Sequence, residues 1–356
     1  MTLAAAPAQG IWRWASAYRE PVDLAHRLSL GEGGTPLVAL PGLARALDVT
    51  VLWVKRDDLS PGGSHKSRSL AYRVSLARQR GERTLLLSSS GNAAVAASLY
   101  CAAAGLRLLA FVSPDTPAVK LAALHRQGTL VIRTEKPRNL ARYASRVFGI
   151  ANLTPSLDDL SIEGFKSIGL ELHEAAPEAA DFFTFATSGS SFIGAARAAV
   201  SSGWRARLHV VGAGAAGALA GALDPRFDAT QMARSTLAGL LGIDESPRAD
   251  DARACAATSG GRGWVVTDDE IAQAHGWLGD AGIDTSGEGA ASIAAVARAR
   301  REGVLEASAR AVVLLCGHAT QWRGEPRPID AADVSSYLEL RGLLAERCGL
   351  SPLERE

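Results

Sequence analysis

The chain has 356 residues, of which 47% are hydrophobic and 21% are charged, a balance typical of a globular protein with one large or two smaller domains. Its formal net charge of +1 excludes a broad electrostatic field that would attract nucleic acid or an anionic membrane. No uncharged apolar run reaches the roughly 18 residues of a membrane span, and the N-terminus lacks the charged start and apolar core of a signal peptide.

Apolar runs of strand length alternate with amphipathic or alanine-rich segments of helix length along most of the chain. The predicted strands are 49–55, 83–88, 107–112, 130–133, 181–186, 207–211 and 311–315. The predicted helices are 67–80, 92–104, 118–127, 140–148, 164–175, 191–201, 268–281 and 290–301. This alternation, with short glycine-containing links, predicts parallel sheets covered by helices on both faces.

Two strand–helix series follow one another along the chain. The first ends near Gly149 and the second begins near Asp181, which predicts two α/β lobes with a cleft between them, the usual place for a cofactor. The most polar stretch, 244–254, is predicted to be an exposed loop.

Cysteine and histidine spacing gives no metal or disulfide pattern. The four cysteines are Cys101, Cys255, Cys316 and Cys348, and the seven histidines form no HExxH motif. The sequence therefore predicts no metal site and favours a reducing compartment, the cytoplasm.

One lysine, Lys66, follows a Gly-Gly-Ser turn directly after the first predicted strand. At the start of a helix the free backbone N–H groups and the helix dipole disfavour a cation, which lowers the pKa of an amine. An uncharged amine can attack an aldehyde, although a lone lysine near a turn is more often a solvated surface residue. Asp57 and Asp58, just before this turn, are predicted to lie in a solvated turn.

Two polar turns follow predicted strands and open predicted helices. The segment 88–92 (SSSGN) offers hydroxyls and free N–H groups to an anion, and Asn92 could donate to a phenolate oxygen. The segment 187–191, which comprises Thr187, Ser188, Gly189, Ser190 and Ser191, has small residues that allow backbone to approach a phosphate. Ordinary helix capping or a plain strand–helix turn would explain each motif by itself.

Two further motifs leave alternatives open. Cys316 follows the strand 311–315 and could face a heterocycle nitrogen, or could be a buried apolar cysteine. The segment 212–217 is a literal GxGxxG motif after a strand. A dinucleotide site there would need a second strand with an acidic end about 20 residues later, and no such strand is predicted.

Taken in order, these motifs resemble the pyridoxal-phosphate enzymes of fold type II, and within them the threonine synthase group, from about residue 29 to 322. The segment 31–37 (GEGGTPL) is similar to the group's GEGNTPL, and Glu163-Gly-Phe-Lys166 is similar to its EGQK. The resemblance implies that Lys66 forms the Schiff base and that Asn92 contacts the cofactor's 3′-oxygen. It also implies that 187–191 bind the cofactor phosphate and that Cys316 faces the pyridine nitrogen.

The resemblance also implies a fold of the tryptophan synthase β type, with the cofactor in the cleft between two parallel-sheet α/β lobes. The expected division is a large cofactor domain at 1–50 plus 155–330, a smaller mobile domain at 51–154 and a C-terminal helical tail at 331–356. The expected partner is a small amino-acid substrate, with no nucleic acid and no membrane, and the expected assembly is a homodimer.

Some positions depart from the group's pattern and bear on the substrate. Ala93 replaces a threonine, and Ser161 aligns with an arginine, both of which hold the substrate phosphate in threonine synthases. The group's EPASAA segment carries a carboxylate here, Glu288. The loss of an arginine–phosphate pair argues against phosphohomoserine as the substrate. The predicted substrate-binding residues are Ser89, Ser90, Gly91, Ala93 and Glu288, although Glu288 could instead cap the helix that follows it.

The sequence therefore predicts a pyridoxal-phosphate-dependent lyase or synthase that eliminates or replaces a group at Cβ or Cγ of a small amino acid with an activated leaving group. Lys66 would take the proton from Cα. The alternatives are true threonine synthase, a serine/threonine dehydratase-like deaminase, a homologue that binds without turnover, and an NAD-dependent oxidoreductase that uses the segment 212–217.

Overall fold

The computed structural model describes residues 9–224, 226–239, 246–318 and 331–353, which form two sheets with helices packed against them. The strands are β1 Leu37–Ala39, β2 Val51–Lys55, β3 Thr84–Ser88, β4 Arg107–Val112, β5 Leu130–Arg133, β6 Ala151–Asn152, β7 Asp181–Phe185, β8 Arg207–Ala213, β9 Gly263–Val266, β10 Arg310–Leu314 and β11 Ala331–Asp333. The helices are α1 Pro41–Ala46, α2 Lys66–Gln79, α3 Asn92–Ala104, α4 Ala118–His125, α5 Pro137–Phe148, α6 Ser161–Ala175, α7 Ser190–Ser202, α8 Ala218–Gly221, α9 Ala249–Ser259, α10 Asp268–Asp280, α11 Gly287–Arg301 and α12 Tyr337–Cys348.

One sheet has six strands in the order β1-β2-β10-β7-β8-β9, and the other has five in the order β11-β5-β4-β3-β6. β1 pairs antiparallel with β2, and every other pairing between the described strands is parallel. Strands such as β7 are buried along their whole length, as expected where helices cover both faces. The predicted two-sheet α/β fold is confirmed.

Several helices pack very closely because glycines stand where they cross. In α6, a Cβ at Gly169 would lie 2.6 Å from the Ala195 carbonyl oxygen of α7. In return, a Cβ at Gly194 of α7 would lie 2.6 Å from the Phe165 Cβ of α6. The absence of side chains at these two positions lets α6 and α7 pack backbone against backbone beneath the six-stranded sheet.

The predicted loop at 244–254 is wrong over its described second half, because α9 begins at Ala249. Ala252 and Ala256 lie one turn apart and are fully buried. Burial of this narrow apolar stripe stabilises a helix that is otherwise polar. Asp250 and Asp251 lie in its first turn, where the helix dipole favours negative charge.

Strand pairing bears on the predicted domain division, which stays a prediction. β2, at the start of the segment expected to form the smaller domain, pairs with β10 in the six-stranded sheet. β11, in the expected helical tail, pairs with β5 in the five-stranded sheet, and α12 follows it. Pairing across both expected boundaries joins the three regions and does not test whether they form separate domains.

The GxGxxG motif lies at the end of β8 and continues into a 3₁₀ turn at Gly214–Ala216 and the four-residue α8. No strand lies between β8 and β9 among the residues described there. A dinucleotide site of the predicted type lacks its second strand in this part of the structure. Separately, no described helix is long and apolar enough to span a bilayer.

Candidate active site

The carboxyl ends of several parallel strands open onto one cleft of about 650 Å³. The segments that follow β2, β7 and β10 in one sheet, and β3 and β4 in the other, all contribute to its lining. Open α/β sheets bind ligands at this edge, so both sheets direct their functional edges at the same space.

This cleft brings together nearly all of the side chains that the sequence singled out. The predicted residues that line it are Lys66, Ser89, Ser90, Gly91, Asn92, Ala93, Thr187, Ser188, Gly189, Ser191, Glu288 and Cys316. Ser190 is buried outside the lining, and its hydroxyl donates to the Pro155 carbonyl over 2.8 Å. Ser190 therefore braces the turn, while its N–H belongs to the first turn of α7.

Lys66 is the first residue of α2, and the turn before it is bonded to the segment that follows β10. The His65 N–H donates to the Cys316 carbonyl over 3.2 Å, and the His318 N–H donates to the Gly63 carbonyl over 2.9 Å. Ser64 and Gly317 form an isolated antiparallel bridge. These bonds fix Lys66 beside Cys316.

Burial in the cleft lowers the pKa of Lys66 to about 8, with Cys316 and Glu288 acting in the opposite direction. The shift has the direction expected from the sequence, but its largest cause is burial and not the helix N-terminus. The Lys66 Nζ lies 5.3 Å from the centre of the Phe165 ring. The amine is therefore close to the balance between its charged and neutral forms near pH 8.

Cys316 is buried, and burial together with Glu288 raises the pKa of its thiol far above the ordinary value. The thiol is therefore neutral at physiological pH. Asn92 and Ser286 converge on the same segment, because a Cβ at Gly317 would lie 3.1 Å from both the Asn92 Nδ2 and the Ser286 Oγ. A side chain at 317 would require these groups to shift by a few tenths of an ångström.

The loop 187–191 turns sharply from β7 into α7. Gly189 has a φ of +81°, a left-handed conformation that L side chains rarely adopt. The Ser188 and Ser190 hydroxyls are 3.4 Å apart, and the Ser246 hydroxyl donates to the Ser188 carbonyl over 3.0 Å. The N–H groups at the start of α7 and the adjacent hydroxyls are donors of the kind that an anion requires, and phosphate binding at this turn stays a prediction.

Glu288 lies in the first turn of α11 and faces the cleft. Its Oε1 accepts the Gly239 N–H over 3.2 Å, so this carboxylate holds a distant loop. The helix dipole also favours a carboxylate at this position. The N-cap of α11 is Ser286, so Glu288 does not occupy the capping position, and its contact with a substrate stays a prediction.

Sequence reasoning missed several charged or titratable residues of the cleft. They are His65, Lys120, Arg138, His275 and His318. The His65 Nδ1 is 2.8 Å from the Cys316 carbonyl, and its buried Nε2 has no hydrogen-bond partner among the described residues. The one signal for His65 in the sequence was its place directly before Lys66. Lys120 and Arg138 come from the starts of α4 and α5, which no motif marked.

The predicted solvated turn at Asp57 and Asp58 is wrong, because both carboxylates are buried. Asp57 accepts from Arg68 Nε and Nη2 at 2.7 and 2.8 Å, and Asp58 pairs with Arg56. Arg68 follows Lys66 by only two residues, so α2 itself brings the guanidinium that neutralises Asp57.

Comparison with known proteins identifies the family to which the chain belongs. Residues 28–317 match the family model described as "Pyridoxal-phosphate dependent enzyme", which is most of the chain. The chain belongs to this family. The expected resemblance and the cofactor, pyridoxal 5′-phosphate, are thereby confirmed.

Several curated proteins that match the chain are threonine synthases. That of Halalkalibacterium halodurans is 34% identical over 160 residues, which is 43% of this chain and 44% of the relative. That of Methanocaldococcus jannaschii is 26% identical over 333 residues, 87% of this chain and 80% of the relative. The chain spans less than half the length of the first of these relatives, so their activity applies to it only as a proposal.

Solved structures share the fold at low identity. An aspartate racemase dependent on pyridoxal 5′-phosphate superposes with a TM-score of 0.68 at 19% identity, over 80% of this chain and 90% of that one. The processed threonine deaminase isoform 2 of Solanum lycopersicum superposes with a TM-score of 0.67 at 19% identity, over 80% and 83% of the two chains. These likenesses establish the fold alone.

The cleft fits pyridoxal phosphate on its own chemistry. It holds an amine of lowered pKa, a turn at Gly189 with hydrogen-bond donors at the start of a helix, and an amide at Asn92. Buried polar atoms without a partner among the described residues, the His65 Nε2 and the Ser286 Oγ, belong to residues of the same lining. A polar heterocycle would give such atoms something to bind.

Proposed function

We propose that the protein is a pyridoxal-phosphate-dependent lyase or synthase that eliminates or replaces a group at Cβ or Cγ of a small amino acid with an activated leaving group. The observation that carries the proposal is the amine of Lys66, with its pKa lowered to about 8, in one cleft with the turn 187–191, Asn92 and Cys316. These are the groups that would hold an aldehyde, a phosphate, a phenolate and a ring nitrogen.

In this proposal the turn of Thr187, Ser188, Gly189, Ser190 and Ser191 holds the cofactor phosphate at the start of α7. The Asn92 amide donates to the 3′-oxygen, and Lys66 holds the aldehyde carbon. When bound, the cofactor draws electrons from the substrate carbon next to the amine, which makes its proton removable. The chain's residues orient the substrate and move protons around it.

Lys66 is the residue proposed to move those protons. Once the substrate amine has displaced it, its free Nζ takes the proton from Cα and later returns one to the product or the leaving group. A pKa near 8 suits both steps, because neither the neutral nor the charged form is rare at the pH of the cell.

The neutral thiol of Cys316 is proposed to face the ring nitrogen of the cofactor and to influence which reaction follows. A thiol whose pKa is raised by burial does not stabilise a charged pyridinium as a carboxylate would. This would favour loss of the leaving group, which supports elimination or replacement.

The opposite wall of the cleft, Ser89, Ser90, Gly91 and Ala93, is proposed to receive the substrate, with Glu288 as a further contact. Ala93 offers no hydroxyl to an anion, and the hydroxyl of Ser161 donates to the Pro155 carbonyl over 3.2 Å. Neither residue supplies the charge-assisted contacts expected for a phosphorylated substrate.

True threonine synthase is the second candidate, because Lys120 and Arg138 line the cleft and could hold a substrate phosphate in another way. Steady-state release of phosphate from phosphohomoserine tests it directly. Release well above background would favour this candidate, and none would exclude it. A deaminase that converts serine or threonine to a keto acid is the third reading.

Chemical trapping of the bond between the cofactor and Lys66 tests the central part of the proposal. Borohydride reduction of the holoenzyme and peptide mapping should place the cofactor on Lys66. Lys66→Ala should abolish that label and lower turnover by at least about 10³-fold, the loss expected when the acid–base group is removed. A label on another lysine would contradict the proposal. A spectral screen of the wild-type enzyme against activated serine and homoserine derivatives then identifies the substrate.

We also propose that the protein is a homodimer in the cytoplasm, and that it divides into the large, small and tail regions given above. The family resemblance supports the dimer, and the lack of a cysteine framework supports the compartment. Light scattering of the purified holoenzyme would give the mass of the assembly.

A further inference from the structure

Arg248 lies directly behind the turn 187–191 and outside the lining of the cleft. It precedes α9, and its side chain is only 6% exposed. Its backbone N–H donates to the Ser246 hydroxyl over 3.1 Å, and that hydroxyl donates to the Ser188 carbonyl over 3.0 Å. Arg248 is thus two hydrogen bonds from the turn.

The guanidinium also reaches the turn by a second route. Its Nη2 donates over 3.2 Å to the Pro155 carbonyl, the same oxygen that accepts the Ser190 hydroxyl. Pro155 lines the cleft, so the guanidinium lies against the back of the cleft wall. A Cβ built at Gly189 would lie 3.7 Å from the Cβ of Ala252, one turn further along α9. The start of α9 and the turn are therefore packed together.

The charge of Arg248 is poorly balanced within the described protein. Its carboxylate partner, Asp159, is 2.6 Å from Nη1 but is 73% exposed to solvent. Its Nε is buried and has no partner among the described residues. A buried donor without a partner is costly, and water screens the attraction of an exposed carboxylate, so a further anion on the buried side would stabilise the guanidinium. The turn in front of it contains no charged residue.

We propose that Arg248 is a positioning residue that supplies the countercharge for the cofactor phosphate from behind the turn 187–191. The phosphate carries close to two negative charges at neutral pH, and in this poorly hydrated surrounding a guanidinium acts on it more strongly than through water. Its bond to Pro155 also keeps the turn in place. This inference rests on the proposed position of the phosphate.

A comparison of pyridoxal phosphate with pyridoxal, which lacks the phosphate, separates an effect on the phosphate charge from a general effect on the structure of the site. The holoenzyme is dialysed against graded pyridoxal phosphate or graded pyridoxal, and the bound fraction is read from the visible absorbance of the lysine-bound ligand. Arg248→Gln should weaken pyridoxal phosphate about tenfold, which is about 1.4 kcal/mol, and change pyridoxal by less than about twofold. An equal loss of both ligands, or no loss of either, overturns the inference.

Two control variants sharpen the result. Arg253→Gln, on the same helix and paired with the exposed Asp250, should change neither affinity. An effect equal to that of Arg248→Gln would mean that any charge on α9 acts alike, which contradicts the inference. If Arg248→Gln does not fold, Arg248→Lys keeps the charge and should keep the preference for pyridoxal phosphate. Loss of that preference in the lysine variant overturns the inference.

A variant within the turn separates this inference from the proposed function. Ser191→Ala should weaken pyridoxal phosphate more than pyridoxal whether or not Arg248 takes part. If Ser191→Ala discriminates and Arg248→Gln does not, only the role of Arg248 fails. If neither discriminates while Lys66 is still labelled by borohydride, the phosphate lies elsewhere and the assignment of the turn fails as well.

Discussion

Lys66 combines two properties that rarely occur together on a lysine: it is held rigidly at its backbone, and its amine is partly neutral. The backbone is held by the bonds between Gly63, His65 and the segment Cys316–His318. The neutral fraction comes from burial, which lowers the pKa to about 8 against the pull of Cys316 and Glu288. The rigid backbone fixes the position of the amine, and burial keeps part of it unprotonated, so that its lone pair can react.

The influence of Glu288 on Lys66 can be measured by pH-dependent acylation of the cofactor-free protein. Labelling at Lys66 should be slow below pH 8, where the amine is protonated, and should rise through a midpoint near 8. Glu288→Gln keeps an oxygen for the Gly239 N–H but loses the negative charge, so the midpoint should move to lower pH. Peptide mapping across the pH range gives the midpoint.

Glu306→Gln is the matched control, because Glu306 is exposed just before β10, at the opposite edge of the sheet from Cys316. It should leave the midpoint in place. A midpoint that is the same in wild type and in Glu288→Gln would show that Glu288 does not act on the amine.

Single residues were predictable from sequence where a motif fixed both the residue and its neighbours. Lys66, Asn92 and Cys316 each follow a strand that was recognisable, so their convergence in one cleft followed from the parallel sheets. The contact of Glu288 with Gly239 was not predictable, since it joins positions 49 residues apart through a loop with no periodic pattern.

At the scale of elements, the crossing of α2 and α6 sets the position of the site. A Cβ at Gly164 of α6 would collide with the Arg68 carbonyl oxygen and would lie 2.8 Å from the Ser69 Cα of α2. The Ser69 hydroxyl donates to the Ser161 carbonyl across the same crossing, over 2.7 Å. Only glycine at 164 allows the first turn of α2, with Lys66, to come this close to α6.

Gly164→Ala should therefore destabilise the protein by about 2–3 kcal/mol, the upper part of the range for overpacking, because the facing backbone atoms cannot easily move aside. It should also weaken borohydride labelling at Lys66. Gly276→Ala, in α10 with no atom within 4 Å of the added Cβ, should be neutral or slightly stabilising. Urea unfolding of the two variants provides the comparison, and equal stabilities would contradict it.

Elements with strong periodicity or a clear apolar run were predicted closely, and those shaped by tertiary contacts were not. The bounds of α3, β4 and β5 agree with the predicted ranges 92–104, 107–112 and 130–133. By contrast, β1, β6 and β11 have two or three residues each, too few for an alternating pattern to emerge. α9 looked like a loop because only a narrow alanine stripe of it is buried.

At the scale of the whole molecule, a buried network of charges joins the two cores. Arg68 of α2, whose neighbours Leu70 and Ala71 belong to the core of the five-stranded sheet, pairs with Glu171 of α6 at 2.6 Å. Glu171 also pairs with Lys55 of β2 at 2.7 Å, in the six-stranded sheet. Two cations and the two carboxylates of Glu171 and Asp57 balance one another there.

This network should make stability fall in acid. Burial opposes ionisation, but Arg68 and Lys55 outweigh it and lower the pKa of Glu171 from 4.5 to about 2. The pair's stabilisation is therefore complete above pH 4.5 and is lost as the pH falls toward 2. Glu171→Gln should cost about 3–5 kcal/mol at neutral pH, because it leaves a buried cation unbalanced, and should remove much of this pH dependence.

Urea midpoints between pH 7 and 3 test this prediction. Asp250→Asn, which breaks the exposed pair with Arg253, should change stability by less than about 0.5 kcal/mol at any of these pH values. The prediction fails if the two variants lose similar stability, or if Glu171→Gln unfolds in acid along the same curve as the wild type.

The crossing at Gly164 and the charges around Arg68 together restrict how the protein can admit and release small molecules. If α2 slid along α6, backbone atoms would collide at Gly164, and the carboxylates of Asp57 and Glu171 would lose their ion pairs with Arg68. The first turn of α2, with Lys66, is therefore held closely against α6. We therefore expect small molecules to enter and leave the cleft without a sliding movement of α2 along α6.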